Sequence, residues 1–256
     1  MDFTKELELA KEIALSAGEI IKDNFDVDFH ARLKEDKSVV TDVDISVNSL
    51  VIEKLSEAFP NDGIIGEEES TAEYGMGRKW LCDPLDGTVA YVWGVPTSMF
   101  SLALVIDGKP VVGVAYDPYL KKMYEGVHGN GSFCNGVRLH VSDRGLKGGH
   151  VAVTADPSKI KTLPYISKLQ EHGAYLPLVS GAVYKSCLVA KGRFEGYIEH
   201  GVNGHDMAAV EIIVTEAGGK ITGIEGNDLD YSKPFKGAIV SNGKVHQELV
   251  GIVNSK

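Results

Sequence analysis

Apolar side chains recur at intervals of three and four residues near the start of the chain, which is the pattern of an amphipathic helix packed on a core. A second helix of this kind is predicted after Thr41, and the turn residues at 60–63 are expected to end it. The first apolar stripe comprises Phe3, Leu7, Ala10, Ala14, Ala17 and Ile21. The second comprises Val47, Leu50, Val51, Leu55 and Ala58. The chain is therefore predicted to open with a helix, a loop and a helix.

Short apolar runs come next along the chain. Residues 64–65 and 80–82 are predicted to be the ends of buried strands, and each run continues directly into acidic residues. Residues 99–106 and 111–116 flank an Asp-Gly dipeptide, which predicts a β-hairpin. A sizeable sheet is therefore expected in this part of the chain.

Beyond Gly145 the pattern changes to an alternation of strands and helices. Strands are predicted at 150–154, 174–179 and 194–198. Helices are predicted at 157–172, 181–190 and 206–217, followed by two short strands and a final helix. This α/β pattern divides the chain into halves, 1–145 and 146–256, which we expect to share one compact body.

Composition and charge narrow the function. The chain has 256 residues, 43% of them apolar, and a net charge of −10, which opposes contact with nucleic acid. A small phosphorylated metabolite is also an anion, so binding one here would need local charge compensation, which metal ions supply well. Three widely spaced cysteines suggest neither disulfides nor a zinc site, and we expect a reducing cytoplasm. No segment resembles an export signal or a membrane span.

Acidic residues cluster at the ends of the predicted strands. Glu67, Glu68 and Glu69 follow one strand, and the run Asp83-Pro84-Leu85-Asp86-Gly87-Thr88 follows the other. A tight turn from Asp83 to Asp86 could offer two carboxylates and a backbone carbonyl, which are the oxygen ligands that Mg²⁺ prefers. Gly87 and Thr88 would open a helix beside that site, and their backbone N–H groups would suit phosphate oxygens.

Further along the chain, Asp206 stands at the start of the predicted helix 206–217 and is a candidate third ligand. Simpler interpretations stay open at this point. Asp83 and Asp86 could form a surface turn, and Asp206 could only cap its helix. Asp44 fits a capping box that begins at Thr41, so it could combine capping with catalysis. His205 is expected to be structural rather than a metal ligand.

The sequence resembles the inositol monophosphatase family of Mg²⁺-dependent, lithium-sensitive phosphatases over essentially its whole length. The resemblance rests on three motifs: residues 66–70, Gly-Glu-Glu-Glu-Ser; residues 80–88, Trp-Leu-Cys-Asp-Pro-Leu-Asp-Gly-Thr; and residues 206–209, Asp-Met-Ala-Ala, leading to Glu-Ala-Gly-Gly at 216–219. It implies a five-layer αβαβα sandwich of the inositol monophosphatase/fructose-1,6-bisphosphatase type and a homodimer.

The resemblance also implies roles for individual residues. Two to three Mg²⁺ ions would be held by Glu67, Asp83, the Leu85 carbonyl, Asp86 and Asp206. Catalysis would use Asp44, Thr88 and Glu67, and phosphate would bind at the amides of Gly87 and Thr88. The alcohol part of the substrate would contact Asp86, Ser180, Ala182, Glu199 and Asp206.

Three positions depart from the family pattern. Ala90 replaces a usual Asn, His205 replaces a usual Trp, and Ser38 stands where an Asp is common. None of these departures removes a proposed metal ligand, but they leave the substrate open.

The implied mechanism is in-line attack on phosphorus by a metal-activated water. Candidate substrates are inositol monophosphate, histidinol phosphate, fructose 1,6-bisphosphate and 3′-phosphoadenosine 5′-phosphate. The carboxylate of Glu199 favours a polyol or an amino alcohol. Two other classes stay open: a phosphatase of the haloacid dehalogenase type with Asp42 as nucleophile, and a regulatory or binding protein on the same scaffold.

Overall fold

The computed structural model describes residues 2–25, 32–33, 39–153 and 165–255. Its first helices match the apolar stripes: α1 spans Thr4–Asp23 and α2 spans Asp42–Ala58. Thr41 caps α2, and the predicted capping box with Asp44 is present. A two-stranded ribbon, β1 (Arg32–Leu33) with β2 (Val39–Val40), lies between the two helices in the chain.

Seven strands then build the larger sheet, in the order β3 to β9. They are β3 (Gly63–Gly66), β4 (Arg78–Asp86), β5 (Met99–Ile106), β6 (Lys109–Asp117), β7 (Lys122–Val127), β8 (Gly131–Cys134) and β9 (Val137–Arg138). A short helix, α3 (Thr88–Val92), follows β4. The predicted hairpin is β5 with β6, whereas β7, β8 and β9 were not anticipated. All neighbouring pairs are antiparallel except β3 with β4.

The second half carries a smaller sheet with the order β10-β11-β13-β12. Its strands are β10 (Val151–Ala152), β11 (Gly196–Glu199), β12 (Lys220–Thr222) and β13 (Ala238–Ser241). Among the described residues of this half, the helices are α4 (Tyr165–Glu171), α5 (Ala182–Ala190), α6 (Gly204–Glu216) and α7 (His246–Asn254).

Three apolar clusters show how these elements are layered. The first joins α1 and α2 to one face of the large sheet, and the second joins the other face to α5, α6 and the small sheet. The third joins the outer face of the small sheet to α4 and α7. The layers are therefore helix, sheet, helix, sheet, helix, which confirms the predicted αβαβα sandwich. The division near residue 145 stays a prediction.

Some predicted elements were wrong. Residues 174–179 form no strand, because only Tyr175 pairs, in an isolated bridge with His150. The strand before the acidic run does not stop at Cys82 but continues to Asp86, so the expected turn is an irregularity within β4. Of the predicted helix 157–172, residues 157–164 lie outside the described residues. None of the described helices is long and apolar enough to cross a bilayer.

Candidate active site

Three buried or partly buried carboxylates meet where β4 ends. Asp83 and Asp86 lie on either side of the register shift in β4, and Asp206 comes from the first turn of α6. Among the described residues, these three form a group whose ligand oxygens all lie within 4.8 Å of one another. Because α6 crosses the face of the large sheet, it brings Asp206 to residues more than a hundred positions earlier in the chain.

Asp86 is held by the N-terminus of α5. Its Oδ1 accepts a hydrogen bond from the Ala182 N–H at 2.8 Å, and its Oδ2 accepts from the Val183 N–H at 2.9 Å. A carboxylate at a helix N-terminus is stabilised by these donors and by the helix dipole. Gly181, with φ +88°, permits this contact, because a Cβ there would lie 2.8 Å from Asp86 Oδ2.

Asp83 and Asp206 are each anchored by one backbone donor. The Leu85 N–H donates to Asp83 Oδ1 at 3.0 Å, and the Asn203 N–H donates to Asp206 Oδ2 at 2.5 Å. Asp206 therefore does bond to the backbone at the start of its helix, as the simpler interpretation expected. Asp206 also belongs to the carboxylate group, so the same residue both caps its helix and contributes an oxygen to the group.

The electrostatics of this group are unfavourable without a cation. Burial raises the pKa of Asp83 well above its usual range, and the charges of Glu67, Asp86 and Asp206 raise it further. Burial, followed by the charge of Asp206, raises the pKa of Asp86 to about 7. Burial also raises the pKa of Asp206, although the nearby His205 opposes this. These shifts show that the carboxylates repel one another in a region of low dielectric constant.

This donor set fits hard divalent cations. All three side chains offer oxygen, they converge, and their mutual repulsion would be relieved by positive charge at their centre. His205 is not in the group; its Nε2 lies 3.9 Å from Asp206 Oδ2, and its structural role stays a prediction.

Glu67 belongs to the same electrostatic environment. It directly follows β3, and its N–H donates to the Cys82 carbonyl, which places it at the neighbouring strand end. Its charge raises the pKa of both Asp83 and Asp44. It is not among the three side chains whose oxygens lie within 4.8 Å of one another, so its role as a metal ligand stays a prediction.

Asp44 and Thr88 are in contact beside the carboxylates. Thr88 Oγ1 lies 3.2 Å from Asp44 Oδ1 and 3.1 Å from the Leu85 carbonyl oxygen, and it can donate to either. Asp44 Oδ2 accepts from the N–H of Thr41 at 2.7 Å. Burial raises the pKa of Asp44 to about 6, although its hydrogen bonds with Thr41 oppose the shift. Asp44 therefore caps α2 and also lies beside the carboxylate group, while its role in catalysis stays a prediction.

Gly87 and Thr88 begin α3 as predicted. Gly87 has φ +85°, a left-handed conformation that glycine adopts without steric cost, and Thr88 is the first helical residue. The backbone therefore turns at Gly87, immediately after Asp86, and the first turn of α3 begins next to that carboxylate.

A pocket of about 700 Å³ opens beside these residues. The predicted substrate contacts Asp86, Ser180, Ala182, Glu199 and Asp206 all line it. The Ala182 N–H already binds Asp86, so only the rest of that residue faces the pocket. One wall is apolar and contains Val89, Trp93, Val95 and Leu178, with Trp93 77% exposed.

One charged residue of the pocket was missed by the sequence analysis. Lys185 on α5 is 3% exposed and lines the pocket near Glu199. No local pattern marks it, because it stands in an otherwise apolar helix about a hundred residues after Asp86.

The remaining sequence predictions have these outcomes. Ala90 is buried and lines the pocket. Ser38 lies outside the described residues. Asp42 is exposed in the first turn of α2 and follows a strand of only two residues, which does not match the dehalogenase-type nucleophile at the end of a long strand.

Known proteins provide a comparison with this site and fold. Residues 2–255 match the model of the inositol monophosphatase family. A Thermotoga maritima protein named fructose-1,6-bisphosphatase/inositol-1-monophosphatase is 32% identical, covering 85% of this chain and 83% of its own. A histidinol-phosphatase of Chlorobaculum parvum is 33% identical, covering 84% and 85%. A solved Thermotoga maritima IMPase superposes with a TM-score of 0.89 at 27% identity, covering 98% of this chain and 97% of its own.

Proposed function

Because this chain belongs to the inositol monophosphatase family, and so is a phosphatase that hydrolyses phosphoric monoesters, we propose that it is Mg²⁺-dependent and acts on a small polyol phosphate such as inositol monophosphate. The observation that carries the proposal is the convergence of Asp83, Asp86 and Asp206 within 4.8 Å. Such a group of carboxylates is costly to bury unless cations bind to it.

The metal would be held by these three carboxylates, together with Glu67 and the Leu85 carbonyl. When bound there, Mg²⁺ supplies positive charge that stabilises phosphoryl oxygens and acidifies water. The family is one of metal-dependent phosphatases, and two to three ions is the number that the predicted ligand set would hold.

The protein's own residues have separate tasks in this proposal. The Asp44 carboxylate, with a pKa of about 6, accepts a proton from the attacking water near neutral pH, directly or through the Thr88 hydroxyl. The amides of Gly87 and Thr88 bind the phosphate, and Ser180 and Glu199 contact the alcohol. Asp86, which is buried and bound to the N-terminus of α5, helps to hold these groups in position.

A substrate panel tests the proposal. Inositol monophosphate, histidinol phosphate, fructose 1,6-bisphosphate and 3′-phosphoadenosine 5′-phosphate are assayed with Mg²⁺, with and without excess Li⁺. We expect the polyol monophosphate to give the highest kcat/KM, because Glu199 accepts hydrogen bonds from hydroxyls and repels a second phosphate. A bisphosphate that is clearly the best substrate would overturn the choice of substrate.

The Asp83→Asn variant tests the metal. It keeps an acceptor for the Leu85 N–H and removes only a charge, so we expect it to fold and to lose at least about 10²-fold in turnover, the scale of losing one electrostatic stabiliser. Near-normal Mg²⁺-dependent turnover in this folded variant would contradict the proposed metal site.

The proposal includes a homodimer, as the family resemblance implies, and a reducing cytoplasm, as the widely spaced cysteines favour. Sedimentation of the purified protein at several concentrations tests the dimer directly, and a single monomeric species would contradict it.

A further inference from the structure

A buried ion pair forms part of the substrate pocket. Lys185 Nζ lies 3.8 Å from Glu199 Oε2 and 4.2 Å from the centre of the Tyr197 ring. The side chains of Lys185 and Glu199 are only 4% and 11% exposed, and both line the pocket that contains Asp86 and Asp206. We propose that this pair makes Lys185 a specificity-determining residue, which restricts the pocket to phosphate esters whose alcohol is an uncharged polyol.

The carboxylate of Glu199 is already engaged on both of its oxygens, so it would attract a substrate ammonium group only weakly. Its Oε1 accepts hydrogen bonds from the N–H groups of His200 at 3.1 Å and Gly201 at 3.4 Å, so Oε2 is the oxygen that faces Lys185. An ammonium on the substrate would have to share this carboxylate with Lys185 and would meet like-charge repulsion from it. Like charges placed together in an interface cost several kcal/mol, so cationic amino alcohols are selected against.

A second anionic group on the substrate is disfavoured for the opposite reason. Lys185 already pairs with Glu199, so the pair as a whole offers a second phosphate no net positive charge. A neutral hydroxyl meets neither penalty. The ammonium offers N–H donors and the carboxylate offers lone pairs, so the pair can bind hydroxyls of a polyol through both of its members.

The position of the pair is set by the fold rather than by the two side chains alone. Lys185 lies on α5, whose N-terminus binds Asp86, and Glu199 ends β11. The ring of Tyr197, on the same strand, lies under the ammonium and adds a cation–π contact. The Lys185–Glu199 pair and the carboxylate group are thus connected through helix α5.

The test compares ratios of kcat/KM, and it rests on the proposed phosphatase function. Inositol monophosphate, histidinol phosphate and fructose 1,6-bisphosphate are assayed with the wild-type enzyme, Lys185→Met, Glu199→Gln and the double variant. Lys191→Met is the matched control, because Lys191 immediately follows α5 but lines a different pocket. We expect Lys185→Met to shift the preference toward histidinol phosphate by about tenfold or more, since Glu199 is then available to the ammonium.

Glu199→Gln should act in the opposite sense, because it removes a negative charge beside Lys185 that opposes a second phosphate. We expect the ratio for fructose 1,6-bisphosphate over inositol monophosphate to rise by about tenfold. The double variant should shift toward neither charged ester, and Lys191→Met should leave all ratios within about twofold of wild type.

The outcomes separate this inference from the proposed function. Unchanged ratios in active Lys185→Met and Glu199→Gln enzymes would overturn the specificity role while leaving the phosphatase intact. Absence of turnover with every ester in the wild type would instead contradict the proposed function. Thermal melts establish folding; if Lys185→Met does not fold because Glu199 loses its partner, the near-isosteric Glu199→Gln decides the question by its bisphosphate ratio.

Discussion

Asp83 shows, at the scale of one residue, a conflict between stability and chemistry. The residue is 1% exposed, and one of its carboxylate oxygens lies within 4.8 Å of those of Asp86 and Asp206. A charge in that position destabilises the metal-free protein, because its pKa is raised well above the usual range. The residue is nonetheless suited to bind a cation.

The first prediction concerns this residue in the absence of metal. Asp83→Asn should raise the melting temperature of the protein in a chelating buffer at pH 8, because it removes repulsion from Asp86 and Asp206. The same variant should gain less stability than wild type when Mg²⁺ is added. Differential scanning calorimetry with and without Mg²⁺ measures both effects. If metal-free Asp83→Asn melted at a lower temperature than metal-free wild type, the charge of Asp83 would not be destabilising the protein.

Glu211 gives a second prediction, away from the site. Burial raises its pKa from 4.5 to about 7, although the hydrogen bond from the Tyr231 hydroxyl at 2.8 Å opposes the shift. The folded state therefore binds this proton more tightly than the unfolded state does. The stabilising contribution of protonated Glu211 is fully present below about pH 4.5 and is lost as the pH rises toward 7. Above pH 7, ionised Glu211 therefore makes the folded protein less stable.

The measurement is the free energy of unfolding as a function of pH. Glu211→Gln keeps an acceptor for Tyr231 but cannot ionise, so at pH 8 it should be more stable than wild type by about 3 kcal/mol. The difference should vanish near pH 4. A constant difference across this range would contradict the assigned titration.

At the scale of an element, α6 depends on glycines in the large sheet. A Cβ at Gly113 on β6 would lie 2.4 Å from the Ala209 carbonyl oxygen, and one at Gly126 on β7 would lie 2.9 Å from the Ile213 Cα. The absence of side chains at these positions lets the helix backbone lie directly on the sheet. Because Asp206 is in the first turn of α6, this close packing also positions a candidate ligand.

The third prediction is that Gly113→Ala displaces α6. The added methyl group should lower the free energy of unfolding by about 1–3 kcal/mol, the usual cost of overpacking a core. It should also weaken Mg²⁺ binding, which isothermal titration measures. Gly251→Ala is the control: Gly251 is exposed in α7 with nothing within 4 Å of a new Cβ, so this change should be stabilising by about 0.5–1 kcal/mol. Equal effects of the two changes would argue against the packing explanation.

At the scale of the whole molecule, the carboxylate group joins the two halves. Asp83 and Asp86 come from the large sheet, Asp206 comes from the helix between the sheets, and Asp86 also binds α5. A cation bound here would contact elements from both halves. Metal binding should therefore stabilise the complete fold rather than one local segment.

The fourth prediction follows from this linkage. Mg²⁺ at about 100 times its dissociation constant should add about 2.7 kcal/mol to the free energy of unfolding. For a chain of this size that corresponds to roughly 5–10 °C in Tm. Removing the metal with a chelator should return Tm to its metal-free value, and unfolding should remain a single cooperative transition in both states. A Tm independent of Mg²⁺ up to millimolar concentration would contradict a cation site in this group.

The amino-acid sequence by itself determined the features that depend on local periodicity and close spacing. The stripes of α1 and α2 and the hairpin of β5 and β6 were predictable, because burial of one face imposes a period that can be read along the chain. The αβαβα class was implied by the resemblance of the sequence motifs to a known family. The closeness of Asp83 and Asp86 was also predictable, because the two residues are only three positions apart along the chain.

The sequence named Asp206 and Glu199 as candidates, but only the tertiary structure decided how distant residues meet at the site. Asp206 reaches Asp83 because α6 lies across glycines in the sheet, and Lys185 meets Glu199 because α5 is bound to Asp86. The predicted strand at 174–179 was wrong because strand formation requires a partner edge, and only Tyr175 finds one. Contacts of this kind depend on long-range packing, which leaves no periodic signal in the sequence.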